Sequence, residues 1–317
     1  MKIVRFFFVL VIALFCLNCG NKETGAKKIQ ILVSPKGLVH SFWTTVKAGA
    51  ETAAKENNVE IIWKGPSQET DIAGQIAIIE DYINKNVDAI VIAACDANAL
   101  IPVLKKAKDK NIPIITIDSG IDSDIALSFV ATDNVEAAKK GAQELAKLIN
   151  NEGDVALIPF VPGAATSMMR EQGFKEGIKD FPNIKLTATQ YSQSEVATGM
   201  SVTEDILTSQ PGLKGIFAAN EAGAIGAAQA LKSKNRAGKV KLVGFDAAEN
   251  EINELRAGII DALIVQDPYK MGYTGVKFAV EALNGKAIPK RVDTGVYIIT
   301  RENIDSPETQ KLLSFGK

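Results

Sequence analysis

Short apolar strand candidates alternate with helical stretches along almost the whole chain, and this alternation constrains the fold more than any other feature. Strand candidates such as VDAIVIAA and IPIITID are apolar throughout, which is typical of strands covered on both faces. Between them lie segments such as IAGQIAIIEDYINKN, which have apolar residues at helical spacing and end in Asn or Gly. Alternation repeated this often predicts an α/β fold of parallel sheets with right-handed crossovers.

The number of strand candidates favours two sheets over one. About ten strands are too many for one comfortable open sheet, so two doubly wound parallel-sheet lobes fit better. A (β/α)₈ barrel is the structural alternative, but the candidates exceed the eight strands of a barrel. FVATDN, where a strand ends and a helix starts, looks like a crossing point between lobes. The tail RVDTGVYIITREN adds one more strand with no long helix after it.

The N-terminus differs from the rest of the chain. Basic residues precede the apolar core of MKIVRFFFVLVIALFCL, a pattern typical of a secretory signal peptide, here residues 1–18. A membrane-spanning anchor is the alternative, although the apolar run is a little short for it. The run ends in CLNC, which resembles the lipobox of bacterial lipoproteins and implies a lipidated Cys19 and a polar tether, residues 19–27. The box has Cys16 where Leu is usual, and Cys16 is the alternative lipidation site.

Composition and missing motifs exclude several classes of function. The formal net charge is −1 and there is no Lys/Arg run, so the electrostatic footprint of a nucleic-acid binder is missing. The single His excludes a multi-His metal cluster, and the chain has no zinc-ligand spacing, G-x-S-x-G elbow, P-loop or G-x-G-x-x-G. We therefore expect no metal, no cofactor and no enzyme activity. Cys95 is expected to pack as a small buried hydrophobe.

Polar and aromatic side chains follow the strand candidates, at the edge where open parallel sheets bind ligands. The first strand is followed by SPKGLVHSFW, which holds a Lys, the only His and an adjacent Phe and Trp. Asp, Asn, Arg and Gln suit vicinal hydroxyls, and aromatic faces suit the C–H face of a sugar ring. The candidate ligand-binding residues are Lys36, His40, Phe42, Trp43, Asp118, Arg170, Asn220, Asp246 and Gln266.

Each candidate also has a structural alternative. Capping of the following helix is the alternative for Asp118, Asn220 and Asp246. A place in the core under the first helix is the alternative for Phe42 and Trp43. A solvated charge on a helix is the alternative for Arg170, and a lone His such as His40 is more often structural than a ligand contact. Binding is favoured because all of these groups fall at the same edge of the sheets.

Taken in order, the motifs resemble the periplasmic sugar-binding proteins of ABC importers, of the ribose-binding type with the type I fold. The resemblance covers residues 28–313 and is carried by DAIVIAACDANAL, NIPIITIDSG, VATDN, REQGF, IFAANEAGAIGAAQAL, VGFDA and VQDPYKMG. It implies that the sugar is held by Phe42, Trp43, Asp118, Arg170, Asn220, Asp246 and the hinge residue Gln266.

The resemblance also implies how the chain divides. The expected lobes are residues 28–132 with 267–294, and residues 133–266 with 295–317. The expected three-segment hinge lies near Thr132–Asp133, Gln266–Asp267 and Thr294–Gly295.

The loop after the first strand separates the chain from plain ribose binders. Those have Asn-Asn-Pro before the aromatic pair, where this chain has PKGLVHS, and an Arg where Ser119 stands. A Phe of the second lobe aligns near Ser194. SPKGLVHSFW and WKGPSQE resemble the branch that binds autoinducer-2 or rhamnose, in which the Lys of PK, here Lys36, contacts the ligand, whereas Asn220 and Asp246 look ribose-like. The predicted ligand is a pentose, hexose or deoxyhexose.

These expectations form one functional hypothesis. The chain is a monomeric, lipid-anchored solute-binding protein of the cell envelope, periplasmic or at the outer face of the membrane. It captures a monosaccharide between two closing lobes and delivers it to an ABC permease. The alternative is a receptor that presents a bound ligand, such as autoinducer-2, to a chemotaxis or quorum-sensing partner.

Overall fold

Two six-stranded sheets form the fold. The computed structural model describes residues 28–314, so the predicted signal peptide, the tether and Cys19 lie outside the described residues. The strands are β1 (Gln30–Ser34), β2 (Glu60–Trp63), β3 (Ala89–Ile92), β4 (Ile114–Ile117), β5 (Ser128–Ala131), β6 (Gly153–Ile158), β7 (Ile184–Thr189), β8 (Gly215–Ala218), β9 (Lys241–Phe245), β10 (Ala262–Val265), β11 (Arg291–Asp293) and β12 (Tyr297–Thr300).

The strand orders are those of two doubly wound lobes. The first sheet runs β11-β5-β4-β3-β1-β2 and the second β12-β10-β9-β8-β6-β7. All neighbouring strands pair in parallel except β10 and β12, which are antiparallel. Each order reverses direction beside β1 or β6, and ligands of open α/β sheets bind at such a switch point. The prediction of two α/β lobes is confirmed, and the barrel alternative is wrong.

Helices cover both faces of each sheet, which explains why the strands are apolar throughout. In β1, Ile31 and Val33 join one core cluster while Leu32, between them, joins another on the opposite face. The helices are α1 (Ser41–Glu56), α2 (Ile72–Asn84), α3 (Ile101–Asp109), α4 (Asn134–Leu148), α5 (Ala165–Gly177), α6 (Val196–Ser209), α7 (Glu221–Ser233), α8 (Glu249–Arg256), α9 (Pro268–Leu283) and α10 (Pro307–Ser314), with a 3₁₀ turn at Ile178–Asp180. None of the helices between residues 28 and 314 is long and apolar enough to span a membrane.

The chain passes between the sheets after β5, after β10 and after β11. Side chains tie these crossings together: the hydroxyls of Thr132 and Thr294 lie 3.2 Å apart, and the Asp133 amide donates to Asp293 Oδ1 at 3.1 Å. The tail predicted as one strand is in fact two, because Gly295, at φ 90°, turns the chain from β11 in the first sheet to β12 in the second. The exact lobe boundaries stay a prediction.

Helix α9 belongs with the first sheet although it follows a strand of the second. A Cβ at Gly49 of α1 would lie 2.0 Å from the Tyr269 carbonyl oxygen, and one at Gly272 of α9 would lie 1.9 Å from that of Val46. The two helices therefore approach so closely that only glycine fits at these positions. This contact fixes the start of α9, and with it the position of Gln266 between the lobes.

Candidate functional site

The carboxyl ends of the two sheets face each other across a cavity with about 290 Å³ of empty space. All of the predicted ligand-binding residues line this cavity, and it is completed by Glu69, Phe160 and Glu221. Their role in binding stays a prediction, but the structure does bring them together at one place.

Lys36 and Asp118 form a buried ion pair on the first lobe. Lys36 Nζ lies 3.0 Å from Asp118 Oδ2, with both side chains at most 4% exposed. The same ammonium donates to Thr166 Oγ1 of the second lobe at 3.0 Å. Burial by itself would lower the pKa of Lys36, but the carboxylates of Asp118 and Glu69 outweigh burial and raise it. The site therefore holds a charged lysine that already reaches across the cleft.

Both cleft aspartates have a left-handed backbone. Asp118 has φ 52° and Asp246 has φ 86°. Such conformations cost energy in residues other than glycine and often mark functional positions. Neither residue caps the helix after its strand: β5 comes next after Asp118, and α8 begins after Ala248. The capping alternative is therefore wrong for both, and their backbone directs the side chains into the cleft.

A polar network around His40 crosses the cleft. Asn220 Nδ2 donates to Ser194 Oγ at 2.8 Å, and Ser194 Oγ donates to Glu69 Oε2 at 2.9 Å. Trp43 Nε1 donates to Glu69 Oε1 at 3.0 Å, and His40 Nδ1 lies 3.5 Å from the same oxygen. His40 Nε2 lies 3.1 Å from the Ser194 carbonyl oxygen. This network replaces the aromatic wall that the ribose-binding type would place near Ser194.

The charged groups of this network stabilise one another in their ionised forms. Burial alone would lower the pKa of His40, but the hydrogen bond and the charge of Glu69 raise it to about 9. Burial alone would raise the pKa of Glu69, but Lys36 and His40 hold it well below its usual range. At neutral pH the site thus contains an imidazolium and a carboxylate, and each stabilises the ionised form of the other.

Arg170 is held in place by the second lobe. Its side chain is buried, Nε donates to Asn134 Oδ1 at 2.7 Å and Nη1 donates to the Ala219 carbonyl at 2.8 Å. The guanidinium lies 3.7 Å from the centre of the Phe245 ring. Burial lowers the pKa of Arg170, although Asp246 and Asp118 oppose this. Arg170 is therefore a buried, oriented cation and not a solvated surface charge.

Asn220, Asp246 and Gln266 complete the second-lobe side. Asn220 Oδ1 accepts from the Gly223 amide at 3.0 Å, so Asn220 does cap α7 while its amide group joins the polar network. Gln266 Nε2 donates to Asp246 Oδ1 at 2.7 Å. Burial raises the pKa of Asp246, although Arg170 and Gln266 oppose this. The buried Gln266 Oε1 has no hydrogen-bond partner among residues 28–314, which leaves an acceptor for a ligand hydroxyl.

The aromatic residues play two different structural roles. Trp43 is 2% exposed and belongs to the first-lobe core, as its alternative assignment predicts, while its indole N–H reaches the cleft network. Phe42 packs edge-on against Trp43, with ring centres 4.9 Å apart. The ring of Phe160, two residues after β6, has its centre 5.2 Å from Lys36 Nζ and 5.5 Å from the Arg170 guanidinium. The predicted buried Cys95 is confirmed: it is fully buried, and burial raises its pKa to about 12.

Three residues that line the cavity are missing from the sequence prediction. Glu69 lies in WKGPSQE, Phe160 ends GDVALIPF, and Glu221 directly follows Asn220 in ANE. Phe160 and Glu221 come two and three residues after β6 and β8, and Glu69 comes six residues after β2. Their places beyond strand ends are the signal that could have identified them.

Comparison with known proteins agrees with the fold. The family model described as a periplasmic binding protein domain matches residues 31–287. A D-ribose/D-allose-binding protein from Pseudomonas aeruginosa is 32% identical over 299 residues, covering 92% of this chain and 93% of the relative. The D-allose-binding periplasmic protein of Escherichia coli is 34% identical over 264 residues, covering 80% of this chain and 85% of the relative.

A solved structure extends this agreement to three dimensions. The carbohydrate transporter solute-binding protein from Agrobacterium radiobacter, crystallised in complex with D-arabinose, superposes with a TM-score of 0.88. It is 36% identical, and the match covers 91% of this chain and 99% of that chain. The family match and the paired doubly wound sheets have one explanation: the chain belongs to the periplasmic binding protein family.

Proposed function

We propose that this protein is the sugar-binding component of an ABC importer and that it captures a monosaccharide between its two lobes. One observation carries the proposal: donors and acceptors from both sheets converge on a single cavity beside aromatic rings. The relatives named above bind D-ribose, D-allose or D-arabinose according to their descriptions. The sugar is bound and released unchanged, and the ligand-binding residues are those predicted from the sequence.

The charges lining the cavity favour a neutral ligand. Lys36 is already paired with Asp118 and His40 with Glu69. Arg170 contacts a neutral amide, a carbonyl and an aromatic ring, and Asp246 and Glu221 offer carboxylates nearby. A ligand phosphate or carboxylate would meet these carboxylates at low dielectric, which costs several kcal/mol. Uncharged hydroxyls, in contrast, can accept from the cations and donate to the carboxylates.

Closure of the lobes on the sugar is the mechanism that we infer. A sugar that contacts both lobes binds the closed form better than the open form and so shifts the population toward it. The crossings at 132–133, 266–267 and 294–295 form the hinge between lobes 28–132 with 267–294 and 133–266 with 295–317. The protein acts as a monomer that presents its closed form to a membrane permease.

A ligand screen tests this proposal. We expect at least one neutral pentose, hexose or deoxyhexose to raise the melting temperature of residues 20–317 by mass action, and to reduce the radius of gyration in solution scattering. A sugar phosphate and a uronic acid of matching stereochemistry serve as charged controls and should not. Stabilisation by autoinducer-2 alone would favour the receptor alternative, and no stabilisation by any sugar would overturn the proposal.

Anchoring by lipid at Cys19 is the second part of the proposal. The apolar run that ends in CLNC supports this anchor. A lipid at Cys19 would hold the protein at the outer face of a membrane. Metabolic labelling with a fatty acid is expected to mark the wild type and Cys16→Ala but not Cys19→Ala. Loss of label from Cys16→Ala alone would move the anchor to Cys16.

A further inference from the structure

Helix α1 starts at the edge of the cleft without a cap from its own lobe. Its N-cap residue, His40, makes no side-chain capping hydrogen bond, and the first turn has no acidic residue. The first N–H groups of a helix have no partner within the helix and carry partial positive charge. Helix α2, the next helix along the chain, has the usual arrangement, in which Asp71 Oδ1 accepts from the Gly74 amide at 2.8 Å.

The missing cap of α1 is supplied from the opposite lobe. Glu221 Oε1 accepts from the Ser41 amide at 3.1 Å, and Glu221 Oε2 accepts from the Phe42 amide at 3.2 Å. Glu221 is the first residue of α7 and is only 7% exposed. Both oxygens of one carboxylate are thus engaged by consecutive amides of α1, 180 and 179 residues away in sequence.

The same residue is tied to the predicted sugar site. The backbone amide of Glu221 donates to Asp246 Oδ2 at 3.2 Å, and Asn220 precedes it directly. The carboxylate that caps α1 is therefore positioned by the strand-end residues that line the cleft. When the lobes separate, the contact between Glu221 and α1 must break, because its two sides belong to different lobes.

We propose that Glu221 is a positioning residue that holds the closed cleft by capping α1 across the lobe boundary. This inference rests on the proposed function, since it assigns the cap a role in sugar release. The cap exists only in the closed form, so it stabilises that form whatever sugar lies inside. Its loss should therefore speed the release of every bound sugar by a similar factor.

A direct contact between Glu221 and the ligand is the competing explanation, because Glu221 also lines the cavity. The two explanations differ in what they predict across a set of sugars. A direct contact to one hydroxyl would affect sugars differently according to the stereochemistry at that carbon. A cap between the lobes would weaken all of them alike.

Stopped-flow measurements with Glu221→Ala and Glu221→Gln test the proposal. For two or more sugars that bind the wild type, we expect Glu221→Ala to weaken the affinity by about ten- to hundredfold, by nearly the same factor for each, through faster dissociation. Glu221→Gln keeps an acceptor and should recover part of the loss. Asp71→Ala, which removes a cap within one lobe, should lower the melting temperature but leave dissociation unchanged. Equal dissociation rates, or changes specific to one sugar, would overturn the proposal.

A readout of the cap itself separates this inference from the proposed function. With saturating sugar, which favours the closed form, hydrogen exchange of the Ser41 and Phe42 amides should be faster in Glu221→Ala than in the wild type, with Gly74 as an internal reference. Failure of every sugar to bind the wild type would refute the proposed function. Sugar binding with equal exchange of these amides in the two proteins would overturn the inference alone.

Discussion

Replacement of Asp118 by asparagine is expected to weaken sugar binding by about a hundredfold or more. The carboxylate lies 3.0 Å from Lys36 Nζ in a nearly dry site. The variant leaves that ammonium buried without the carboxylate in direct contact with it, at a cost of about 2–5 kcal/mol, and removes a charged acceptor for the sugar. Asparagine is the appropriate replacement because it tolerates the left-handed backbone at this position, φ 52°. Titration calorimetry with the sugar found by the screen measures the effect.

Two further variants separate binding from folding. Asp124→Asn alters an exposed carboxylate in the same loop and should leave the affinity unchanged. The double variant Lys36→Met with Asp118→Asn removes both charges, so it should regain some of the melting temperature lost by Asp118→Asn but none of the affinity. An affinity that is unchanged in Asp118→Asn would refute the assignment of this residue to the site.

The place of the site was predictable from sequence because it depends on local rules. Apolar runs mark buried parallel strands, and parallel strands of one sheet end at a common edge. Residues just beyond those ends, such as Asp118 in one sheet and Asp246 in the other, therefore lie at the ligand-binding edge of their own sheet. Local patterns suffice to place each group at its edge, and the structure shows that the two edges face one cavity.

The partners of those residues were not predictable, because they depend on how the lobes close. Ser194 and Glu69 are 125 residues apart, and no periodicity or spacing links them. The cap of α1 by Glu221 was also not predictable, because Glu221 and α1 lie on different lobes. Asn220 shows a further limit of the sequence, which presents helix capping and ligand binding as alternatives for this residue. In the structure, its side-chain oxygen caps α7 while its amide nitrogen joins the cleft network.

The tail illustrates a different limit. RVDTGVYIITREN contains two β-branched runs separated by a glycine, and as a pattern it is one interrupted strand. The structure assigns Arg291–Asp293 and Tyr297–Thr300 to different sheets. Which sheet accepts an edge strand depends on the free edge available, here β5 in one sheet and β10 in the other. The choice of sheet depends on tertiary contacts and cannot be predicted from local β-propensity.

Replacement of Arg170 by methionine is expected to weaken sugar binding by about a hundredfold or more, and replacement by lysine should recover little of this loss. The guanidinium donates to Asn134 and Ala219 while it stacks on Phe245. Two of the five guanidinium N–H donors are thereby used for orientation, and the others can reach the sugar. An ammonium on a flexible stem cannot make these contacts together, so it keeps the charge but loses the geometry.

The lysine variant decides whether charge or geometry matters at this position. If the sugar responds only to positive charge, Arg170→Lys will bind nearly as well as the wild type, which would contradict the prediction. If the planar geometry of the guanidinium matters, both variants will lose affinity. Arg236→Lys, at a half-buried arginine that contacts backbone carbonyls outside the cleft, will not. Calorimetry on all three, with melting temperatures to confirm folding, distinguishes these outcomes. We expect Arg170→Lys to bind weakly, because a neutral ligand gains more from aligned hydrogen bonds than from an unpaired charge.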